Sequence, residues 1–240
     1  MTRDSIATQS SLSGFVAGTL IRVPRDNTLP HTIWKAIEDI QIGDMVLARS
    51  EHDTTAEHAV PVKNIHVQAP QALWVMKVLE LIEDFSNNPT MPSDIMTTPS
   101  QAFWTCGSAS MSGELESLEM THGKWRSLHQ LENGDVIQSN NKFFVVLYTA
   151  PLYQTEQPYL AWALEPQGDG YGLAYDLQNI KETGRITAQP MYHPDIENTA
   201  EGQAQYTPYL AEVYALSLEN GHHYFAGTRS FWVQQMNRLF

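Results

Sequence analysis

The sequence is poor in cysteine, in basic residues and in long apolar runs. Cys106 is the only cysteine, so no disulfide can form within the chain, and we expect a reducing, cytoplasmic location. No window of 18 apolar residues occurs and the start of the chain lacks a long apolar core, so we expect neither a membrane span nor a cleavable signal peptide.

Lys and Arg number 14 against 27 Asp and Glu, a net charge of −13. That charge repels nucleic acid and anionic membranes, and it leaves a basic protein partner or simple solubility as its role.

Sequence signatures of common cofactor sites are also missing. The chain has no phosphate-binding loop and no dinucleotide fingerprint. His222 and His223 are adjacent, but neighbouring residues on a strand face opposite sides and do not easily meet one metal ion. We therefore expect no cofactor and no metal.

One sequence pattern occurs twice. The stretch WKAIEDIQIGDMVLA occupies Trp34–Ala48, and WRSLHQLENGDVIQS occupies Trp125–Ser139. Tryptophan aligns with tryptophan, a basic residue with a basic residue, and Gly-Asp with Gly-Asp. Glycine permits the positive φ that a tight turn needs, and aspartate bonds nearby backbone amides. The repeat predicts two similar halves related by a near-twofold rotation.

The remaining pattern is that of short strands. Apolar alternation predicts strands at 44–49, 60–68, 142–153 and 230–236, and the context favours a strand over a helix at 72–82. Asn220-Gly221 predicts a hairpin between the two arms of 211–227. We expect a loosely packed or disordered tail at 1–12 and a single domain at 13–240. Residues 166–208, rich in Gly, Asn, Gln and Pro, predict an insertion or long loop.

Four blocks resemble the Hint family, the fold shared by inteins, hedgehog autoprocessing domains and the processing domains of bacterial polymorphic toxins. The blocks are GFVAGTLI at 14–21, IEDIQIGDMVLA at 37–48, TTPSQAFW at 97–104 and VYALSLENGHHYFAG at 213–227. They occur in the family's order across nearly the whole chain. The resemblance implies a mostly β horseshoe of short strands with an internal pseudo-twofold, and it implies chemistry that begins with attack of a Cys or Ser side chain on the preceding peptide carbonyl.

The positions that carry this chemistry in the family are altered here. By the resemblance, its nucleophile, threonine, motif histidine, hairpin histidine and terminal His-Asn pair fall on Gly14, Thr98, Gln101, His222, Gln234 and Gln235. Glycine has no nucleophile, and glutamine does not carry a proton near neutral pH. Ser13 has a hydroxyl but lies one position out of register, which on a strand means the opposite face. We read the set as a vestigial site.

Cys106 offers a second candidate nucleophile. Free cysteines are among the most buried residues, so we favour a small hydrophobic role for it over a reactive one.

Loss of three chemical positions from a retained scaffold predicts a catalytically degenerate Hint-like protein that acts by binding another protein. An immunity or adaptor role in a polymorphic toxin system fits the family context. The alternative is autocatalytic processing, self-cleavage or splicing, with a non-standard nucleophile such as Ser13, and a third reading is a structural cap in a larger assembly. For contact with a basic toxin or domain we expect three tyrosines of the 166–208 segment and three clustered glutamates, namely Tyr171, Tyr175, Tyr192, Glu114, Glu116 and Glu119.

Overall fold

The computed structural model describes residues 13–25, 28–82, 90–111, 115–166, 171–192, 206–219 and 223–234. The described secondary structure is β1 (Phe15–Val16), β2 (Leu20–Arg25), β3 (Thr28–Ala36), β4 (Met45–Ser50), β5 (Asp53–Ala72), β6 (Trp74–Glu80), β7 (Ser93–Thr97), β8 (Ala102–Met111), β9 (Leu115–Ser127), β10 (Asp135–Gln138), β11 (Phe143–Pro151), β12 (Tyr153–Gln154), β13 (Leu160–Leu164), β14 (Tyr171–Asp176), α1 (Leu177–Thr183), β15 (Ala188–Tyr192), β16 (Leu210–Leu218), β17 (His223–Ala226) and β18 (Phe231–Gln234), with 3₁₀ turns at Ile37–Asp39 and Leu128–Gln130. The predicted mostly β fold is confirmed, and 72–82 contains the strand β6.

Most strands belong to one antiparallel sheet that closes on itself. Its order is β18-β8-β10-β11-β6-β7-β1-β16-β5-β4-β17-β2-β3, with β9 added on β8. The strand β18, at one end of the path, pairs with β8 and also with β17, and this second pairing closes the sheet with β2 and β3 beyond the closure. Closure pairs backbone groups that would otherwise lie at an open edge.

The predicted repeat is confirmed as two copies of one strand–turn–strand unit. In each copy a basic residue of the first strand bonds the aspartate of the Gly-Asp pair: Lys35 Nζ lies 2.6 Å from Asp44 Oδ2, and Arg126 contacts Asp135 at 2.5 Å. The preceding glycines both adopt positive φ, 91° at Gly43 and 90° at Gly134. A side chain would strain this conformation, which explains why glycine recurs.

The bonds around the two turns also match. Asp44 accepts a bond from the Gln41 N–H at 2.8 Å, and Asp135 accepts one from the Glu132 N–H at 2.7 Å. The two halves then exchange strands: β6 of the first half pairs with β11 of the second, and β16 of the second half pairs with β5 of the first. Reciprocal exchange is what a twofold relation produces.

A second, four-stranded sheet of order β12-β13-β14-β15 follows β11, with α1 between β14 and β15. Of the two alternatives for 166–208, an insertion or a long loop, the long loop does not hold for residues 171–192, which form β14, α1 and β15. An apolar cluster packs this sheet on the main one, with Ala161, Ala163 and Tyr175 against Val75 and Met96. The strand β14 pairs with β13, which lies before this segment, and with β15 inside it, so the low apolar periodicity of the segment alone did not indicate these strands.

The hairpin predicted between the arms of 211–227 is wrong. β16 pairs with β5 and β1, and β17 pairs with β18, β4 and β2. The turn residues Asn220 and Gly221 lie outside the described residues. A local turn signal gave no information on the distant strands β5 and β4, which separate the two arms. Among the described residues, no helix is long and apolar enough to cross a membrane.

Candidate functional site

Gly14 and Thr98 meet where β1 pairs with β7. The pairing of Phe15 with Thr97 brings their neighbours together. The Gly14 N–H donates to Thr98 Oγ1 at 3.1 Å, and the Thr98 N–H donates to the Gly14 carbonyl at 3.0 Å. Both residues are buried. The threonine hydroxyl therefore accepts a hydrogen bond from the amide nitrogen of the Ser13–Gly14 peptide bond.

The carbonyl of the same peptide bond is also held by a side chain. Gln68 Nε2 donates to the Ser13 carbonyl oxygen at 2.9 Å. Gln68 lies on β5 opposite Val213, next to a register shift between Ala211 and Val213 on β16. Sequence reasoning missed Gln68 because no motif marks it and because its position depends on pairing across β16.

Gln101 connects the Thr98 turn to the last described strand. Its N–H donates to the Thr98 carbonyl at 3.1 Å. Its side-chain Nε2 donates to the Gln234 carbonyl at 2.5 Å and to the Ala102 carbonyl at 3.1 Å. The other side-chain atom, Oε1, is buried and has no hydrogen-bond partner among the described residues. The amide thus faces β18 and donates none of its described bonds to the Ser13–Gly14 peptide.

A continuous chain of hydrogen bonds therefore joins four residues of the predicted vestigial set: Gly14, Thr98, Gln101 and Gln234. The other two, His222 and Gln235, lie outside the described residues. The alternative nucleophile Ser13 is 3% exposed. The chemical role of all these residues stays a prediction.

Cys106 is separate from these contacts. Its thiol lies 3.7 Å from the Val136 carbonyl in a cluster that includes Trp104 and Trp232. Burial raises the pKa of the Cys106 thiol to about 11. A thiol of this pKa contains little nucleophilic thiolate at neutral pH.

Two side chains hold the Ser13–Gly14 peptide bond, Thr98 at its N–H and Gln68 at its carbonyl. Gly14 has no side chain to attack the Ser13 carbonyl, and Gln101 does not transfer a proton near pH 7. Among the described residues, no group of three or more His, Cys, Asp or Glu side chains could hold a metal ion.

The three predicted contact tyrosines have different surroundings. Tyr175 is fully buried, and burial raises the pKa of its hydroxyl, so its prediction as a surface anchor is wrong. Tyr175 belongs to the apolar cluster that packs the second sheet on the main one. Tyr171 is 58% exposed and pairs with Tyr192 across β14 and β15, with ring centroids 5.1 Å apart.

Two of the three predicted glutamates lie on β9. Glu116 and Glu119 are exposed on this strand, and Glu116 accepts a bond from Ser110 Oγ at 2.8 Å. Glu114 lies outside the described residues. The exposed apolar residues Leu118 and Met120 lie between and beside the two described glutamates.

Comparison with solved structures returns inteins and intein-like domains. A bacterial intein-like domain from Clostridium thermocellum shares 16% identity, with 94% of this chain and 100% of that chain covered and a TM-score of 0.46. A DnaB intein from Synechocystis sp. shares 12% identity, with 94% and 99% covered and a TM-score of 0.44. A transcription factor IIB Mvu mini-intein shares 10%, with 94% and 100% covered and a TM-score of 0.41. No protein-family model and no curated protein matches the sequence.

Proposed function

We propose that the chain is a catalytically inactive Hint-like protein that acts by binding another protein. One observation carries the proposal: Thr98 holds the amide of Gly14 at 3.1 Å, yet Gly14 has no side chain to attack the carbonyl that precedes it. The reaction that begins in the family at this position needs a thiol or hydroxyl there. The retained scaffold supports a role in binding.

The position of Thr98 does not favour the alternative, autocatalytic processing by the Ser13 hydroxyl. A Ser13 hydroxyl would attack the carbonyl of residue 12, form an ester with it and free the amino group of Ser13. Thr98 holds the amide of Gly14, one residue further along. The threonine is therefore placed for the Ser13–Gly14 bond and not for the bond before Ser13.

The experiment is the intact mass of the purified chain after long incubation at neutral pH, with and without hydroxylamine. An inactive site predicts no fragment that begins at Ser13 or Gly14 in either sample, because no ester forms for hydroxylamine to cleave. Hydroxylamine cleavage at the two Asn-Gly bonds, 133–134 and 220–221, gives fragments of other masses. A fragment that begins at Ser13 or Gly14 would support processing instead. Loss of the fragment that begins at Ser13 in Ser13→Ala would assign that cleavage to the Ser13 hydroxyl.

The surface for a partner combines exposed aromatic and acidic groups. Tyr171 and Tyr192 contact each other at the end of the second sheet, and aromatic side chains are frequent anchors in protein interfaces. Glu116 and Glu119 supply negative charge on β9, and the chain as a whole carries −13. This charge favours a basic partner, such as the toxin that an immunity protein would neutralise, or a basic domain bound by an adaptor.

A further inference from the structure

We propose that Gln68 is a positioning residue that, together with Thr98, fixes the Ser13–Gly14 peptide bond, so that the retained site anchors the segment that enters β1. The inference rests on the proposed function, in which this bond is held and not broken. It adds a residue that the family blocks do not contain.

The strand pairing places Gln68 for this contact. β16 lies between β1 and β5, so a side chain of β5 must cross β16 to reach the residue before β1. The register of β5 against β16 shifts between Ala211 and Val213, beside Gln68. Bulges of this kind re-aim side chains. Here the result is a bond of 2.9 Å from Gln68 Nε2 to the Ser13 carbonyl.

Both polar groups of this one peptide are bonded by side chains. The carbonyl accepts from Gln68 and the N–H donates to Thr98. Most backbone groups in folded proteins are bonded to other backbone groups instead. Removal of either side chain would leave one group of a buried peptide without that partner, so each substitution has a local and separable effect.

The orientation of the Gln68 amide is fixed by the same contact. Nε2 faces the Ser13 oxygen, since the opposite orientation would place two oxygens against each other. The Gln68 Oε1 atom is buried and has no hydrogen-bond partner among the described residues. Gln68→Leu therefore removes one donor and also one unpaired buried acceptor, and we expect the fold to tolerate it.

The test reads the peptide bond directly by NMR. The sequence has two Ser-Gly pairs, Ser13-Gly14 and Ser112-Gly113. Chains labelled with ¹³C-carbonyl serine and ¹⁵N-glycine give one coupled signal for each pair, and Gly113→Ala removes the second. In Gln68→Leu we expect the Ser13 carbonyl signal to move upfield and the Gly14 amide to exchange about three to ten times faster.

Gln71→Leu is the matched control. Gln71 lies on the same strand, is half-buried like Gln68, and donates to the nearby Ala69 carbonyl at 3.0 Å, so its loss should leave both readouts unchanged. Gln68→Glu serves as a second variant, because an ionised carboxylate does not donate. Unchanged Ser13 and Gly14 signals in a folded Gln68 variant would overturn the inference. Failure of the proposed function would appear differently, as a cleaved wild-type chain.

Discussion

Gly14 occupies a position with little room for a side chain. A Cβ atom placed there would lie 3.0 Å from the Tyr214 carbonyl oxygen and 3.2 Å from Val213. The oxygen belongs to the backbone of β16, which is fixed by pairing on both sides. Glycine at this position is therefore accompanied by close packing of the neighbouring strand.

We expect Gly14→Ala to lower the free energy of unfolding by about 1 kcal/mol, as crowded small-to-large substitutions do. A lower entropy of the unfolded chain acts in the opposite direction by about 0.4–1 kcal/mol. The sign of the change in the free energy of unfolding therefore tests whether the alanine side chain is crowded. Urea unfolding measures the difference. A stabilised Gly14→Ala variant would show that β16 moves away at little cost.

Asp94 is a second residue of interest, because its surroundings disfavour the ionised form of its carboxyl group. Burial raises its pKa to about 6 from 3.8, with Lys77 opposing the shift and Glu165 adding to it. Its Oδ1 atom is buried and has no hydrogen-bond partner among the described residues. The folded state therefore favours the protonated acid, and stability falls as the pH rises from about 4 to about 6.

Asp94→Asn should remove this loss. At pH 8 we expect the variant to be more stable than wild type by an amount on the order of 2 kcal/mol, and at pH 4 we expect little difference. Chemical unfolding across this pH range gives the comparison. A stability difference that does not change between pH 4 and pH 8 would rule out Asp94 as its source.

At the scale of elements, the two strand–turn–strand units allow the contributions of two equivalent aspartates, Asp44 and Asp135, to be compared. Burial alone would raise the pKa of Asp44, but bonds from Lys35 and from the Gln41 N–H outweigh it and lower the pKa. Asp44 therefore adds to the free energy of unfolding at pH values above the pKa that its carboxyl has in the unfolded chain. This contribution is lost as the pH falls through the pKa of the folded state. Asp135 makes the same set of contacts in the second unit.

We expect Asp44→Ala and Asp135→Ala each to destabilise the protein by about 1–2 kcal/mol, because each loses a basic partner and a backbone N–H. The two effects should add in the double variant, since the units share no partner. Thermal and urea unfolding provide the values. Asp39→Ala, an exposed acidic residue in the first 3₁₀ turn, is the control and should change little.

These units also show what the sequence could predict. Gly-Asp, the basic residue and the apolar positions act within about a dozen residues, so their pattern predicted both turns. The pairings of β16 and β17 depend on strands far away in the chain, which a local Asn-Gly signal does not specify. The family blocks marked Gly14, Thr98 and Gln101 as site residues because these residues lie within recognisable sequence patterns. The contact of Gln68 depends on the register of β5 and β16, which no sequence pattern marks.

At the scale of the whole molecule, strand exchange and sheet closure join the two halves in one sheet. Their surface carries a net charge of −13 from the complete sequence. An acidic surface speeds association with a basic partner, and salt screens this effect over about 10 Å at 0.1 M.

For a partner isolated by co-purification, we expect the association rate to fall as salt is raised. Glu114→Lys/Glu116→Lys/Glu119→Lys should lower the rate at low salt, and Tyr171→Ala should mainly speed dissociation. Stopped-flow or surface-based kinetics separate the two rates. Reversal of three glutamates that are exposed elsewhere, Glu132, Glu156 and Glu182, controls for the same change in net charge. A rate insensitive to salt and to both reversals would remove electrostatics from the account.

The central claim, a site that holds its peptide bond without breaking it, is tested most directly by intact mass of wild type and Gly14→Cys, incubated side by side with dithiothreitol. We predict that wild type retains its full mass and that Gly14→Cys shows no efficient cleavage. The reason is that Gln101, bonded to Gln234 and Ala102, supplies no proton to the leaving amide. Loss of the residues before Gly14 from wild type, or rapid thiol-dependent loss from Gly14→Cys, would contradict the claim.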